Sequence, residues 1–109
     1  MLSAQYISCV NQGAFVISFS IMWLDQNGNW NTSSWNSGSY DINQTRTSPD
    51  LSTIGVASDA IIVEPLVHAV AGANGVGNSG VTYSTAGNTA TYLVTGTTGN
   101  VQVTLNNGN

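Results

Sequence analysis

The sequence is almost without positive charge: Arg46 is the only basic side chain, against the acids Asp25, Asp41, Asp50, Asp59 and Glu64, for a net charge of −4. Phosphate binding draws on several Lys or Arg contacts, so nucleic acid is excluded as a partner. Electrostatic docking on anionic lipid is excluded for the same reason. Cysteine is equally scarce. Cys9 stands alone, which rules out an intrachain disulfide. It falls among alternating residues of an expected strand, where a buried thiol acts as a small hydrophobe; an intermolecular bridge or a reactive thiol is the other use for it. Long apolar runs are missing too, and nothing approaches the ~20 residues of a membrane-spanning helix. A basic segment followed by an apolar one is absent from the start of the chain. The expected location is therefore the cytosol, release by a leaderless route, or a mature form trimmed of its signal.

Catalytic machinery is thin. His68 is the only histidine, no Gly-x-Ser-x-Gly occurs, and His68 lies mid-strand in phase with Leu66 and Val70. That is the placing of a structural or surface residue rather than a base. Two of the scattered acids could be paired on paper for glycoside hydrolysis, but a chain this small offers no deep cleft. No enzyme and no cofactor are expected. Asp25-x-Asn27-x-Asn29 imitates the first ligand positions of a calcium loop, yet Trp30 stands where that loop has Gly and Asn36 where it has Glu. A hairpin turn explains the same residues, and no metal is expected. The glycines of residues 72–80 lack the Lys and the helix of a phosphate cradle, so a flexible loop is expected. Asn31-Thr32-Ser33 and Asn43-Gln44-Thr45 match glycosylation sequons, which an Asn/Thr-rich chain produces by chance.

What is present is β pattern. Apolar residues make up 41% of the chain, and runs such as Ala14-Phe15-Val16-Ile17 and Ala60-Ile61-Ile62-Val63 need a core, which excludes disorder. In residues 14–24, Phe15, Ile17, Phe19, Ile21 and Trp23 form a core face. Val16, Ser18, Ser20 and Met22 form the opposite, solvent side. Residues 3–11 alternate more weakly, and Asn11-Gln12-Gly13 reads as the turn of a hairpin joining the two strands. Asn27-Gly28 marks a second turn. Further strands are expected near residues 37–40, 45–48, 60–71, 81–84, 89–95 and 101–105, with a loop over 49–59. Pro49 limits its strand to an edge or terminates it, and Pro65 is expected at a bulge or an edge. The expectation is an all-β chain, an antiparallel β-sandwich of about eight short strands, forming one domain over residues 1–109.

The most suggestive cluster is aromatic. Trp23, Trp30, Trp35 and Tyr40 are interleaved with Asp25, Asn27, Asn29, Asn31, Asn36 and Asp41. Trp23 belongs to the core face; Trp30 and Trp35 sit in polar, turn-rich sequence. An exposed ring offers a flat face to the C–H side of a pyranose, and the amides and carboxylates can bond its hydroxyls. The bland alternative is that the tryptophans cap the open end of the sandwich.

The run Asn11-Gln12-Gly13-Ala14-Phe15-Val16-Ile17-Ser18-Phe19-Ser20-Ile21-Met22-Trp23, followed by Gly28 and Trp35-Asn36-Ser37-Gly38, resembles the C-terminal, membrane-binding domain of cholesterol-dependent cytolysins. The resemblance covers the first third of the chain and implies a β-sandwich of this size. That family's Trp-rich segment with its cysteine has no counterpart; the corresponding stretch reads Glu64-Pro65-Leu66-Val67-His68-Ala69-Val70. Thr104-Leu105 matches the family's sterol-recognising pair in letters but falls in an expected strand. The resemblance therefore implies the fold and not cholesterol binding, and free-standing domains of this kind are similar to small lectins. The expected function is carbohydrate binding. Neutral glycans would meet a shallow site of Trp30, Trp35, Asp25, Asn27, Asn29, Asn36, Tyr40 and Asp41, with a homo-oligomer raising avidity. The alternatives are a cytolysin-like membrane-binding module and a self-assembling structural β-protein.

Overall fold

A computed structural model of the chain describes residues 1–106, and among them all regular structure is strand apart from one 3₁₀ turn at Leu51–Ile54. The strands are β1 (Ser3–Ala4), β2 (Tyr6–Asn11), β3 (Ile17–Leu24), β4 (Trp30–Thr32), β5 (Thr45–Thr47), β6 (Ile62–Ala69), β7 (Asn74–Val76), β8 (Thr82–Tyr83), β9 (Thr89–Thr97) and β10 (Asn100–Leu105). They form a first four-stranded sheet in the order β10-β9-β2-β5, a second in the order β4-β3-β6-β7, and the small pair β1-β8. The sandwich is all-β as expected, but not wholly antiparallel: β2 runs parallel to β9, and β1 parallel to β8.

The core lies between the two sheets. Ile17, Phe19 and Ile21 of β3 are fully buried, and so are Val63, Val67 and Ala69 of β6. Facing them are Ile7 and Cys9 of β2 and Ala90, Tyr92 and Val94 of β9. The alternation read from residues 14–24 holds from Ile17 onward. The strand begins later than expected, and Phe15 is only partly buried.

The expected hairpin between the first two strands does not form. β2 pairs with β9 and β5, while β3 pairs with β4 and β6, so Asn11-Gln12-Gly13 carries the chain from one sheet to the other. Asn11 is the reason. Its buried amide donates to the Phe15 carbonyl at 2.6 Å and the Tyr40 carbonyl at 3.4 Å, and it accepts from the Gly13 N–H at 3.0 Å. The Phe15 ring then folds over Gly13, where a Cβ would lie 2.2 Å from the ring.

Other local expectations shift in the same way. Pro65 sits in a central strand, not at an edge. It is tolerated because its backbone faces the end of β7, where its carbonyl accepts from the Gly77 N–H at 3.1 Å and no ladder partner is lost to β3. The 72–80 segment is not a loose loop but contains β7. Its Gly75 packs so closely on β10 that a Cβ would be 2.7 Å from the Val101 carbonyl oxygen. With the Ala73 N–H donating to the Thr98 carbonyl at 2.7 Å and Asn78 N–H to Val103 at 2.8 Å, β7 and β10 close one side of the sandwich. The strand expected near 37–40 reduces to a bridge between Tyr40 and Ile17.

Candidate functional site

The aromatic and amide residues singled out in the sequence do not converge. Trp30 pairs with Leu24 at one end of β3, and Tyr40 bridges to Ile17 at the other. Seven residue steps along β3 separate those ends, a distance of about 23 Å. The Asp25–Asn29 turn lies with Trp30; Asp41 lies with Tyr40.

Each of these side chains has a definite environment. Asp25 accepts from the backbone N–H of Asn27 at 2.9 Å, that of Asn29 at 3.0 Å and the Asn31 amide at 3.0 Å. The Asn31 amide first, and then the turn N–H groups, hold its carboxyl below the ordinary range. Its role is that of a turn organiser, and the Gly28 φ of 83° completes the turn. The Asn27 and Asn29 side chains are exposed beside it. Asn36 donates to the Ser20 hydroxyl at 3.2 Å and accepts from the Gly38 N–H at 2.8 Å, fixing its own loop. Trp35 is partly buried, its ring edge-on to Phe19 with centroids 5.2 Å apart. Tyr40 is buried and donates its hydroxyl to the Cys9 carbonyl at 2.9 Å, so it presents no face to a ligand. Asp41 is exposed, its carboxylate accepting from the N–H of its neighbour Ile42 at 3.3 Å. Trp30 alone keeps a widely open ring, with 47% of its surface exposed. The proposed cluster thus resolves into turn organisers, core caps and one open tryptophan.

A different surface emerges from the register. Cross-strand partners share a sheet face. In the second sheet, the outward rows read Trp30–Leu24–Ile62, then Thr32–Met22–Glu64, then Ser20–Leu66–Val76, then Ser18–His68–Asn74. Apolar side chains fill the first row and six of the nine positions in the first three. Trp30 and Val76 are exposed, and Met22, Leu24, Ile62 and Leu66 are partly exposed. The first sheet's outward positions differ in kind. They include Thr47, Thr91, Thr95, Gln102 and Thr104 around Ser8. The first outer face is hydroxyl-rich with Val10 and Leu93 among the hydroxyls, and the second is apolar toward its Trp30 end.

Glu64 sits inside the apolar rows, opposite Met22 and between Ile62 and Leu66 on its own strand. Partial burial there raises its carboxyl above the ordinary glutamate range. Gly80 covers one flank, since a Cβ on it would stand 2.1 Å from Ile62 and 3.2 Å from Glu64. At the far end of the face, His68 Nδ1 lies 2.7 Å from Asn74 Oδ1. The sequence held a signal for this surface that the alternation reading passed over. Ile21-Met22-Trp23-Leu24 and Ile61-Ile62-Val63 are apolar on both faces, which a strand with one side in water does not require.

No described protein family and no curated protein matches the chain. Solved structures do. A Gram-negative toxin matches over 99% of this chain with a TM-score of 0.50 and 15% identity. The sandwich is a fold found in a toxin. Listeriolysin O, a cholesterol-dependent cytolysin, matches over 93% of the chain with a TM-score of 0.48 and 16% identity. A structure described as a trapped toxin gives 93%, 0.46 and 15%. The chain spans about a quarter of the toxins' length, 24%, 22% and 23% respectively. The resemblance to cytolysins drawn from residues 11–38 thus has its structural counterpart among toxin chains, at the level of the fold.

Proposed function

We propose that this chain is a cytolysin-like β-sandwich module that attaches to membranes. The observation behind it is the outer face of the second sheet, where Trp30, Leu24, Ile62, Met22, Leu66 and Val76 stand in adjoining rows with no cation among them. Apolar surface of that kind, gathered on one side of a small sandwich, marks an interaction site. A tryptophan at its margin suits the bilayer interface. The toxin fold supports the reading. Attachment is hydrophobic, so phosphatidylcholine vesicles should pull the protein down equally at low and high salt. Failure to co-sediment with vesicles of any composition would sink it.

A second reading, glycan binding, rests on Trp30. Its ring is open and the exposed Asn29 precedes it in the chain, so an aromatic face for a sugar and an amide for its hydroxyls occur together there. Such a site is shallow and weak, and association into dimers or rings raises its avidity. A glycan array probed with the wild-type protein and with Trp30→Ala tests it; an array without a hit, or hits indifferent to the substitution, removes it. Under either reading the chain binds and does not catalyse.

A further inference from the structure

Glu64 is out of place on the surface it occupies. Its carboxylate stands among Met22, Leu24, Ile62 and Leu66 on the outer face, so bringing that face against hydrocarbon means removing a charge from water. Ionised, it opposes contact; neutral, it leaves Trp30 and the surrounding aliphatic groups free to make it. We propose that protonation of Glu64 switches the outer face of the second sheet from water to lipid, so that attachment to zwitterionic bilayers strengthens as pH falls. This rests on the membrane reading above.

The surroundings of Glu64 leave it as the group that decides the switch. From β3 it faces Met22, with Thr32 of β4 beyond. On the other flank Gly80 has no side chain. Beneath it in β9, Tyr92 is buried and its hydroxyl donates to the Ser79 carbonyl at 2.6 Å. On its own strand the other titratable group is His68, two rows away beside Asn74. Asp25 and Asp59 belong to the turn end past Leu24, where Gln26 reaches the Asp59 carbonyl at 2.8 Å. Arg46 is on β5 of the opposite sheet and offers Glu64 no partner. Burial among apolar groups already raises the carboxyl above its ordinary value, the direction the switch needs.

The dimensions favour a bilayer over a protein as occupant. Four strands about 4.8 Å apart, by rows about 6.8 Å apart, give a footprint of roughly 300 Å². A stable protein complex buries about 800 Å² per partner, well beyond this patch. A bilayer is continuous, and a few anchored side chains suffice for reversible attachment.

The test compares wild type, Glu64→Gln and His68→Gln by co-sedimentation with phosphatidylcholine vesicles at about pH 5 and about pH 7.5, with thermal melts confirming that each folds. The expected result is several-fold more bound wild type at the lower pH, Glu64→Gln bound equally at both, and His68→Gln behaving as wild type. Equal binding of wild type at both pH values, or a pH dependence that survives in Glu64→Gln, overturns the switch while leaving membrane attachment standing. No binding by any variant at either pH overturns the membrane reading itself. Light scattering without vesicles completes the set. A dimer forming at acid pH, or in Glu64→Gln, identifies a second copy as the occupant and overturns lipid.

Discussion

The Tyr40 hydroxyl donates to the Cys9 carbonyl at 2.9 Å, tying the loop that bridges to β3 in the second sheet to the middle of β2 in the first. The donor is buried, and the Phe19 ring packs against it at 6.5 Å between centroids. Tyr40→Phe should therefore lower the unfolding free energy by about 1 kcal/mol, the net worth of one hydrogen bond, in urea titrations with unchanged slope. No loss would mean that the loop is held by packing alone.

Trp30 and Trp35 should separate by substitution. Trp35→Ala removes a partly buried ring edge-on to Phe19 and is expected to cost about 2 kcal/mol. Trp30→Ala removes a ring that is mostly in water and should change stability by no more than about 0.5 kcal/mol. The same variant should bind vesicles less well. Chemical denaturation and co-sedimentation read the two effects independently.

Asp50 predicts acid behaviour. The Gln5 amide at 2.7 Å, the Ser52 N–H and hydroxyl at 2.9 Å and the Tyr83 hydroxyl at 2.9 Å all donate to its carboxylate. With the Gln5 amide as the main cause, its carboxyl is held down at about 2, from 3.8. A lowered folded-state value means stabilisation that is fully present above the unfolded value and lost as pH falls through the folded one. Thermal melts of the wild type should therefore decline between about pH 4 and pH 2. Asp50→Asn should be less stable at neutral pH and should decline less over that interval.

Two glycines should fail for different reasons. Gly75→Ala pushes a methyl against the Val101 backbone and should strain the β7–β10 closure by about 1–3 kcal/mol. Gly28 has open space around it but a φ of 83°, so Gly28→Ala should cost about 1 kcal/mol through backbone strain alone. Hydrogen exchange distinguishes them: the first loosens β7 amides, the second only the turn.

The limits of the sequence reading have physical causes. The β3 core face was legible because large apolar residues at alternate positions admit one orientation. The path after β2 was not, because Asn11-Gln12-Gly13 has turn chemistry whether the chain doubles back or crosses between sheets. The choice is made by Asn11 bonds to Phe15 and Tyr40, which the local sequence does not display. The candidate site residues are spread by geometry: Trp30 and Tyr40 lie ten residues apart in the chain, and β3 holds the segments that carry them at opposite ends. The apolar outer face lay in Met22, Leu24, Ile62 and Leu66, residues of two strands whose adjacency only the β3–β6 register reveals.

Arg46 is the chain's sole cation and is exposed on β5, a three-residue edge strand, its guanidinium 5.1 Å from the Tyr40 ring centroid. Trypsin, which cleaves after Lys or Arg, thus has a single scissile bond in the whole polypeptide. An extended strand docked in a sheet resists a protease until it lifts away. The rate of that one cut should therefore report how often β5 detaches from β2, making native tryptic digestion a built-in clock for opening at this edge.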